Sequence, residues 1–480
     1  MTDKLWIDLA PALVVISGVL VLRRAAWQVA LAAMAAAAVL FAIVVGTAPL
    51  VAAAGTSFDA ALLLTADAGM IILPGLLLNE LLKRDGTHER IVGWVESWPV
   101  SPATAAVILT AGFAPALESI TGFGVSLLVT VPVLLQLLPR GKALLASMLS
   151  LTIMPWGTAG LATTVAADLS GTDIHLVGVH SALFSAAIFP IFAMLTALVV
   201  AQPAERVRTV TLGASLGVIF AAVLLAMNVV SLIPLAGVTA GTVTGTAGYL
   251  ALVARRRSDR MKAAPWRALA PFIAIVALIL IMRVLDTITG WGTTVAVHIG
   301  GVSFEPLLSP GIALLIVALV VGWRHFDPAC IGETVRGGGK PLVALFGFTA
   351  AAQLMNHSGA VGDMAELIGH AGRIGFAVFV PLLAVASGYL VGSNTGANAL
   401  MVIAQQNLGD QFGAGLEAVA LQNSGAGHAV FASVPETLLV LAVAGAGTRN
   451  EETRMLRFGF KVLGAVMAVI LAGAVITAIG

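Results

Sequence analysis

The chain has 480 residues, 59% of them hydrophobic and 10% charged, with a net charge of +1 and a mean hydropathy of +1.02. Soluble domains carry about 25% charged residues, so this chain lacks the side chains to cover a water-facing surface. That excludes a soluble fold and leaves a polytopic membrane protein, with no charge-based argument for a nucleic-acid partner.

The Leu/Ala/Val runs are helix-length rather than alternating segments of about ten residues, which excludes an outer-membrane barrel. One lysine precedes a full-length apolar segment at the N-terminus, so no cleavable signal peptide is expected. The single cysteine, Cys330, rules out an internal disulfide or a cysteine-rich metal site.

Spanning helices need about 20 apolar residues. In chain order they are expected near 6–22, 26–48, 58–82, 143–165, 175–200, 209–227, 237–254, 268–288, 307–322, 341–362 and 458–479. Basic residues in short loops mark the cytoplasmic side. On that rule Arg23/Arg24, Lys83/Arg84/Arg90, Arg140/Lys142, Arg206/Arg208, Arg255/Arg256/Arg257 and Arg324/Arg336/Lys340 are cytoplasmic. The loops near 49–57, 166–174, 228–236 and 289–306 hold no Lys or Arg and should face outside. Trp94, Trp98, Trp266 and Trp323 read as interfacial anchors.

Residues 103–138 have basic loops on both sides, so the segment must enter and leave at one face. As one helix it would be about 54 Å long against a hydrocarbon core of about 30 Å. It must therefore break, and the break falls on "APALESITGFG" (114–124). A re-entrant helical hairpin satisfies both length and charge. Residues 374–408 form a second overlong apolar stretch, broken at "SGYLVGSNTGANAL" (387–400) and opening from the opposite side. Broken spans follow each hairpin, at "TIMPWGTAGLATT" (152–164) and "LQNSGAGHAVFASVPET" (421–437).

The expected fold is therefore an all-α polytopic membrane protein with an inverted-topology repeat, two re-entrant hairpins and broken transmembrane helices. Its parts are scaffold helices in 1–57, a first repeat in 58–200, linker helices in 201–265, further scaffold in 266–340, and the inverted second repeat in 341–480. Paired broken helices in opposite senses are the pattern of secondary transporters that bind substrate near the bilayer midplane.

The chemistry gathers at the breaks. The first hairpin offers Glu118, Ser119 and Thr121, with Gly122 and Gly124 freeing the backbone. The second offers Ser387, Gly392, Ser393, Asn394, Thr395 and Asn398; the second broken span adds Asn423, Ser424 and His428. Helix N-termini at such breaks present free N–H groups and positive dipole ends, which can hold a carboxylate. None of the four elements contains Lys or Arg, so a small organic anion is the expected guest. Glu118 reads as a proton carrier; its structural alternative is a hydrogen bond that ties the hairpin tip. Asp67 and His428 are further coupling-ion candidates, and Trp156, beside Pro155, is a candidate cavity wall. No HExxH or nucleophile–base pattern argues for an enzyme. No metal or organic cofactor is expected, only a coupling ion.

These motifs resemble the lactate/glycolate permeases. "ALESITGFG" is similar to their Leu-Glu-Gly-x-x-Gly-Phe-Gly signature, and "MNHSG" (355–359), "GSNTGANAL" (392–400), "AQQNLG" (404–409), "QNSG" (422–425) and "TRMLRFGFK" (453–461) follow in the family's order. The resemblance covers roughly 60–200 and 340–465. It implies proton-coupled symport of a 2-hydroxymonocarboxylate through a bacterial inner membrane, with Glu118, Gly122, Gly124, Ser393, Thr395, Asn398 and Asn423 at the site. It also implies an elevator-like movement and a homodimer.

Three departures stand out. The family usually has Ser-Asp-Thr at Ser393-Asn394-Thr395, Ser-Pro-Gln at Val434-Pro435-Glu436, and a polar residue at Phe431. The first two remove one acid and add another. Ser-Asn-Thr at a hairpin tip is similar to sodium-coupled dicarboxylate transporters, so sodium is the alternative coupling ion.

Overall fold

A computed structural model describes residues 10–479 apart from 19–21, 23, 123, 125, 254–261, 300, 301, 325 and 446. Residues 6–9 and 19–21 of the expected first span, Arg23 and the basic run Arg255, Arg256 and Arg257 lie outside the described residues. The chain is helical almost throughout. Among the described residues nine helices are long and apolar enough to cross a membrane, or up to eleven if each of two bent pairs is one span.

The helices run α1 (Ala10–Ile16), α2 (Ala26–Val44), α3 (Thr47–Arg84), α4 (Thr87–Glu96), α5 (Pro102–Ile108), α6 (Ala114–Thr121), α7 (Leu127–Leu137) and α8 (Arg140–Leu149). They continue with α9 (Gly157–Ser170), α10 (Ile174–Ser185), α11 (Ile188–Val200), α12 (Arg206–Val229), α13 (Ile233–Gly248), α14 (Trp266–Thr289) and α15 (Pro310–Gly322). Last come α16 (Pro328–His357), α17 (Ala360–Gly369), α18 (Gly372–Val391), α19 (Asn394–Asp410), α20 (Gly415–Ala429), α21 (Val434–Val443) and α22 (Arg449–Ile479). A π-helical turn, Leu109–Phe113, joins α5 to α6 into one continuous element.

All four expected breaks are present. The first hairpin turns at Gly122 and Gly124, both at positive φ (69° and 70°). The second turns at Gly392 (φ 68°), and Ser393 then caps α19. Between α8 and α9 the chain makes a 3₁₀ turn, Met154–Trp156, and bends by 55°; between α20 and α21 it makes another, Val430–Ala432, and bends by 43°. The element order of 102–170, helix, glycine tip, two helices, 3₁₀ turn, helix, thus recurs in 372–443.

Several boundaries differ from expectation. Residues 49–57, expected as an outside loop, are the opening turns of α3, because the break falls instead at Gly46 (φ 111°). Residues 328–340, expected to be a cytoplasmic loop, begin α16. Asp327 caps that helix by accepting the Cys330 N–H at 2.7 Å. Its glycine run is tolerated because a Cβ at Gly338 would lie 2.6 Å from Leu73 in α3: the missing side chain permits the close approach. The expected loop 289–306 carries a two-stranded ribbon, Val297–Ile299 against Val302–Phe304, an addition to the all-α expectation. Trp94 and Trp98 are buried, packed edge to face with each other and at tilted or edge-on angles with Phe113 and Tyr249, rather than standing free as anchors. Trp266 and Trp323 are exposed, as anchors should be.

Asp327 also receives Arg84, 2.9 Å away. The Cys330 N–H and then the Arg84 guanidinium hold its carboxyl below the usual carboxylate range. A depressed folded value adds stability above the unfolded value of about 3.9 and loses it as pH falls through the folded one. Asp327→Asn should lower the melting temperature at neutral pH, and the gap to wild type should close on acidification, as a thermal-shift series across pH would read.

Within 201–265, expected as a linker, α13 packs against α6 and the π-helical turn before it. Gly237, Gly241, Gly245 and Gly248 form one face of α13, and a Cβ at Gly241 would stand 2.6 Å from the Ala116 nitrogen. Backbone therefore meets backbone along this seam, a close approach that only glycine allows. Gly241→Val should destabilise by about 1–3 kcal/mol or more, whereas Gly464→Val, with nothing within 4 Å of its Cβ position, should not; unfolding of purified protein by heat compares them.

Candidate functional site

Glu118 sits on the last turn of α6, fully buried. Its Oε1 accepts the Gly124 N–H at 2.8 Å and its Oε2 the Ser126 N–H at 3.2 Å. Both carboxylate oxygens are thus tied to the loop that follows, and the glycine conformations at 122 and 124 turn those N–H groups back towards them. Gly122 also has no room for a side chain, since a Cβ there would run into Thr158 Oγ1.

The four breaks meet at one cavity of about 30 Å³, room for roughly one water molecule. Glu118 lines it from the first hairpin and Glu436 from the second broken span. Met154, Gly157 and Thr158 come from the first broken span, and residues 392–395 from the second hairpin. Two helices begin at its wall. Ser393 caps α19 by accepting the Gly396 N–H, and Ser433 caps α21 by accepting the Glu436 N–H, each at 3.4 Å. At the start of α19 the Asn394 and Thr395 N–H groups are free and suit an anion; at α21 Pro435 has no N–H and that of Glu436 is taken by its cap. Two carboxyls supply groups for a proton or cation. In the first broken span Thr158 and Ala159 adopt left-handed backbone (φ 51° and 54°) beside Gly160 (φ 81°). Such strain in non-glycine residues costs about 1–3 kcal/mol each and gathers where function needs an unusual geometry.

Behind the cavity lies a buried amide network. Asn423 Oδ1 accepts Nδ2–H groups of Asn394 (3.0 Å) and Asn398 (2.9 Å). Its own Nδ2 donates to Thr163 Oγ1 (3.0 Å) and Ser181 Oγ (3.1 Å). Asn398 also donates to the Ala162 carbonyl at 2.9 Å. The network joins α9 and α10 to α19 and α20 and fixes how the second hairpin tip meets the first broken span.

Of the residues expected at the site, Glu118, Ser393, Asn394 and Thr395 line the cavity. Gly122 and Gly124 shape the hairpin tip, and Asn398 and Asn423 form the layer behind. Others serve elsewhere. Ser119 donates to the Trp156 carbonyl at 2.8 Å, Thr121 to the Leu117 carbonyl of its own helix at 2.8 Å, and Ser424 shares a hydrogen bond with Ser185 at 2.7 Å. Trp156, expected as a wall, is fully buried and donates its Nε1–H to Asn228 Oδ1 at 3.0 Å; its neighbours Met154 and Gly157 line the space instead. Asp67 lies on α3 and His428 against Phe189 and Phe192, neither of them at this cavity. Met154, Gly157 and Thr158 line the cavity without having been singled out in the sequence, whereas Gly392 was expected at the second break and Glu436 as an added acid. The signal for Glu436 was present: "SVPE" has the form of a helix capping box, but its carboxylate Oε2 does not turn back to the cap and has no hydrogen-bond partner.

Comparison with known proteins agrees with the motifs. Residues 293–479 match the family model described as L-lactate permease. The L-lactate permeases of Escherichia coli strain K12 and of Salmonella typhi are each 26% identical to this chain over 163 residues. That stretch is 33% of this chain and 29% of each relative, so the likeness spans under a third of the curated proteins. The family match includes the second hairpin and Glu436; the Glu118 hairpin lies outside it. Motifs and matches together support the chain as a divergent member of the L-lactate permease family.

Proposed function

We propose that the chain is a secondary active transporter that moves a small 2-hydroxymonocarboxylate, of the lactate or glycolate type, with protons across a bacterial inner membrane. One observation carries the reading: four broken elements from two similarly ordered stretches converge on one small, buried cavity. The N-terminus of α19 there favours an anion, and Glu118 and Glu436 oppose it while they are charged. An anion therefore enters at low cost only with a positive charge, which couples the two fluxes. The recurring element order supports an inverted repeat with two re-entrant hairpins. A sliding core of hairpins and broken spans, and a homodimer, follow from the family resemblance.

Sodium is the second reading, favoured by the Asn394 Oδ1 atom, buried without a hydrogen-bond partner at the tip of the second hairpin. Uptake of radiolabelled L-lactate into proteoliposomes separates the two. A pH gradient should drive accumulation when sodium is replaced by potassium. Accumulation only under a sodium gradient would replace the proton reading with the second, and no uptake under either gradient would overturn the substrate class.

A further inference from the structure

Glu118 and Glu436 face the same cavity, but their surroundings differ. Both oxygens of Glu118 accept backbone N–H groups, an arrangement that suits a charged carboxylate, because an ionised carboxylate only accepts. Glu436 is 6% exposed, and its buried Oε2 has no hydrogen-bond partner. Gly124 lies between the two: its N–H binds Glu118, and a Cβ on it would stand 3.0 Å from Glu436 Oε2. A second buried negative charge here would have neither a donor nor a cation beside it, and an unpaired buried charge is expensive.

Among the described residues no other charged group lines the cavity. Around α21, helix α7 carries no ionisable residue. Arg140 of α8 pairs with Glu451 of α22, and Lys142 donates to the Val200 carbonyl. Arg454, Arg457 and Lys461 of α22 line a separate cleft with Leu145, and Arg449 and Glu452 line another.

We propose that Glu436 is the proton-carrying group of the cavity and that Glu118 is the fixed anion that retains the proton there. A hydronium ion on one side breaks an O–H bond, leaving water, as one forms at Glu436 Oε2. The proton stays beside Glu118 while the cavity is closed. It then passes to a water on the other side, which becomes hydronium and leaves the Glu436 carboxylate. No electrons move. Glu118 is then the tie of the hairpin tip as well as the electrostatic partner. The proton site is independent of substrate identity; only its use in transport rests on the reading above.

Infrared difference spectroscopy of the substrate-free protein in lipid at neutral pH tests the assignment. The carbonyl stretch of a protonated carboxyl should be present in wild type, lost in Glu436→Gln, shifted but retained in Glu436→Asp, and unaffected in Asp67→Asn. If Glu436→Gln does not fold, the shift in Glu436→Asp decides. A band that is absent from wild type, or that neither substitution at 436 alters, overturns the proposal. In vesicles, the pH dependence of lactate exchange should flatten at least tenfold in Glu436→Gln and return in Glu436→Asp; an unchanged profile in Glu436→Gln also overturns it. Wild type that moves no lactate at all would overturn the transport reading and leave the infrared result to decide the proton site.

Discussion

Asn423→Leu is expected to abolish uptake and to destabilise the protein by about 3–6 kcal/mol, with a visible loss of folded material in detergent. Its side chain holds four buried partners, the amides of Asn394 and Asn398 and the hydroxyls of Thr163 and Ser181. Leucine fills a similar volume but leaves the Asn394 amide without its acceptor and strips one partner from each of the others. A buried polar group left unpaired costs about 1–3 kcal/mol, and losses within one network do not add independently. Asn423→Asp keeps the acceptor for both amides and should be milder in stability, because the two hydroxyls can turn to donate. Chemical unfolding and uptake of both variants read the difference directly. Equal stability of Asn423→Leu and wild type would mean that the network holds nothing together.

Gly122→Ala should be nearly as severe, for a different reason. The residue has φ 69° and ψ −177°, backbone that is essentially glycine-only and costs a side chain about 1–3 kcal/mol by itself. The new methyl would also run into Thr158, which is held in left-handed backbone of its own. The tip can relieve the clash only by moving, and any such movement disturbs the N–H groups that Glu118 accepts. Uptake should fall at least a hundredfold, with a smaller loss of melting temperature than for Asn423→Leu. Ala159→Gly, on the same strained turn, should instead raise stability by up to about 1 kcal/mol, since glycine adopts that backbone without penalty.

The breaks were legible because they follow from length and local chemistry. Thirty-six apolar residues between two basic loops cannot be one straight span, and the glycines at 122, 124 and 392 mark where the chain turns. Helix boundaries at water-facing ends were less legible. Residues 49–57 and 328–340 hold polar residues and glycines that suit loops in isolation, yet α3 and α16 run through them, with Ser57, Cys330, Thr334 and Gly338 turned inward. The site was half legible. Hydroxyls and amides near a break do line the cavity at Ser393, Asn394 and Thr395, but periodicity does not say which turn of a broken helix faces inward, so Ser119 and Trp156 stand in the expectation in place of Thr158 and Met154. Glu436 was visible only as a departure from a family pattern. Its place opposite Glu118 needs the fold, because 318 residues separate the two in the chain.

Lactate is several times larger than the one water molecule for which the cavity of about 30 Å³ has room, so the transported anion can bind there only as the cavity opens, and substrate protection reads that binding. Cys330 is the single cysteine, so Cys330→Ser clears the background for Thr395→Cys at the cavity wall. In vesicles where this variant still takes up lactate, saturating L-lactate should slow maleimide labelling of residue 395 at least fivefold, and acetate should not. Labelling at the same rate with and without lactate, while uptake persists, would contradict the claim and place the binding site elsewhere.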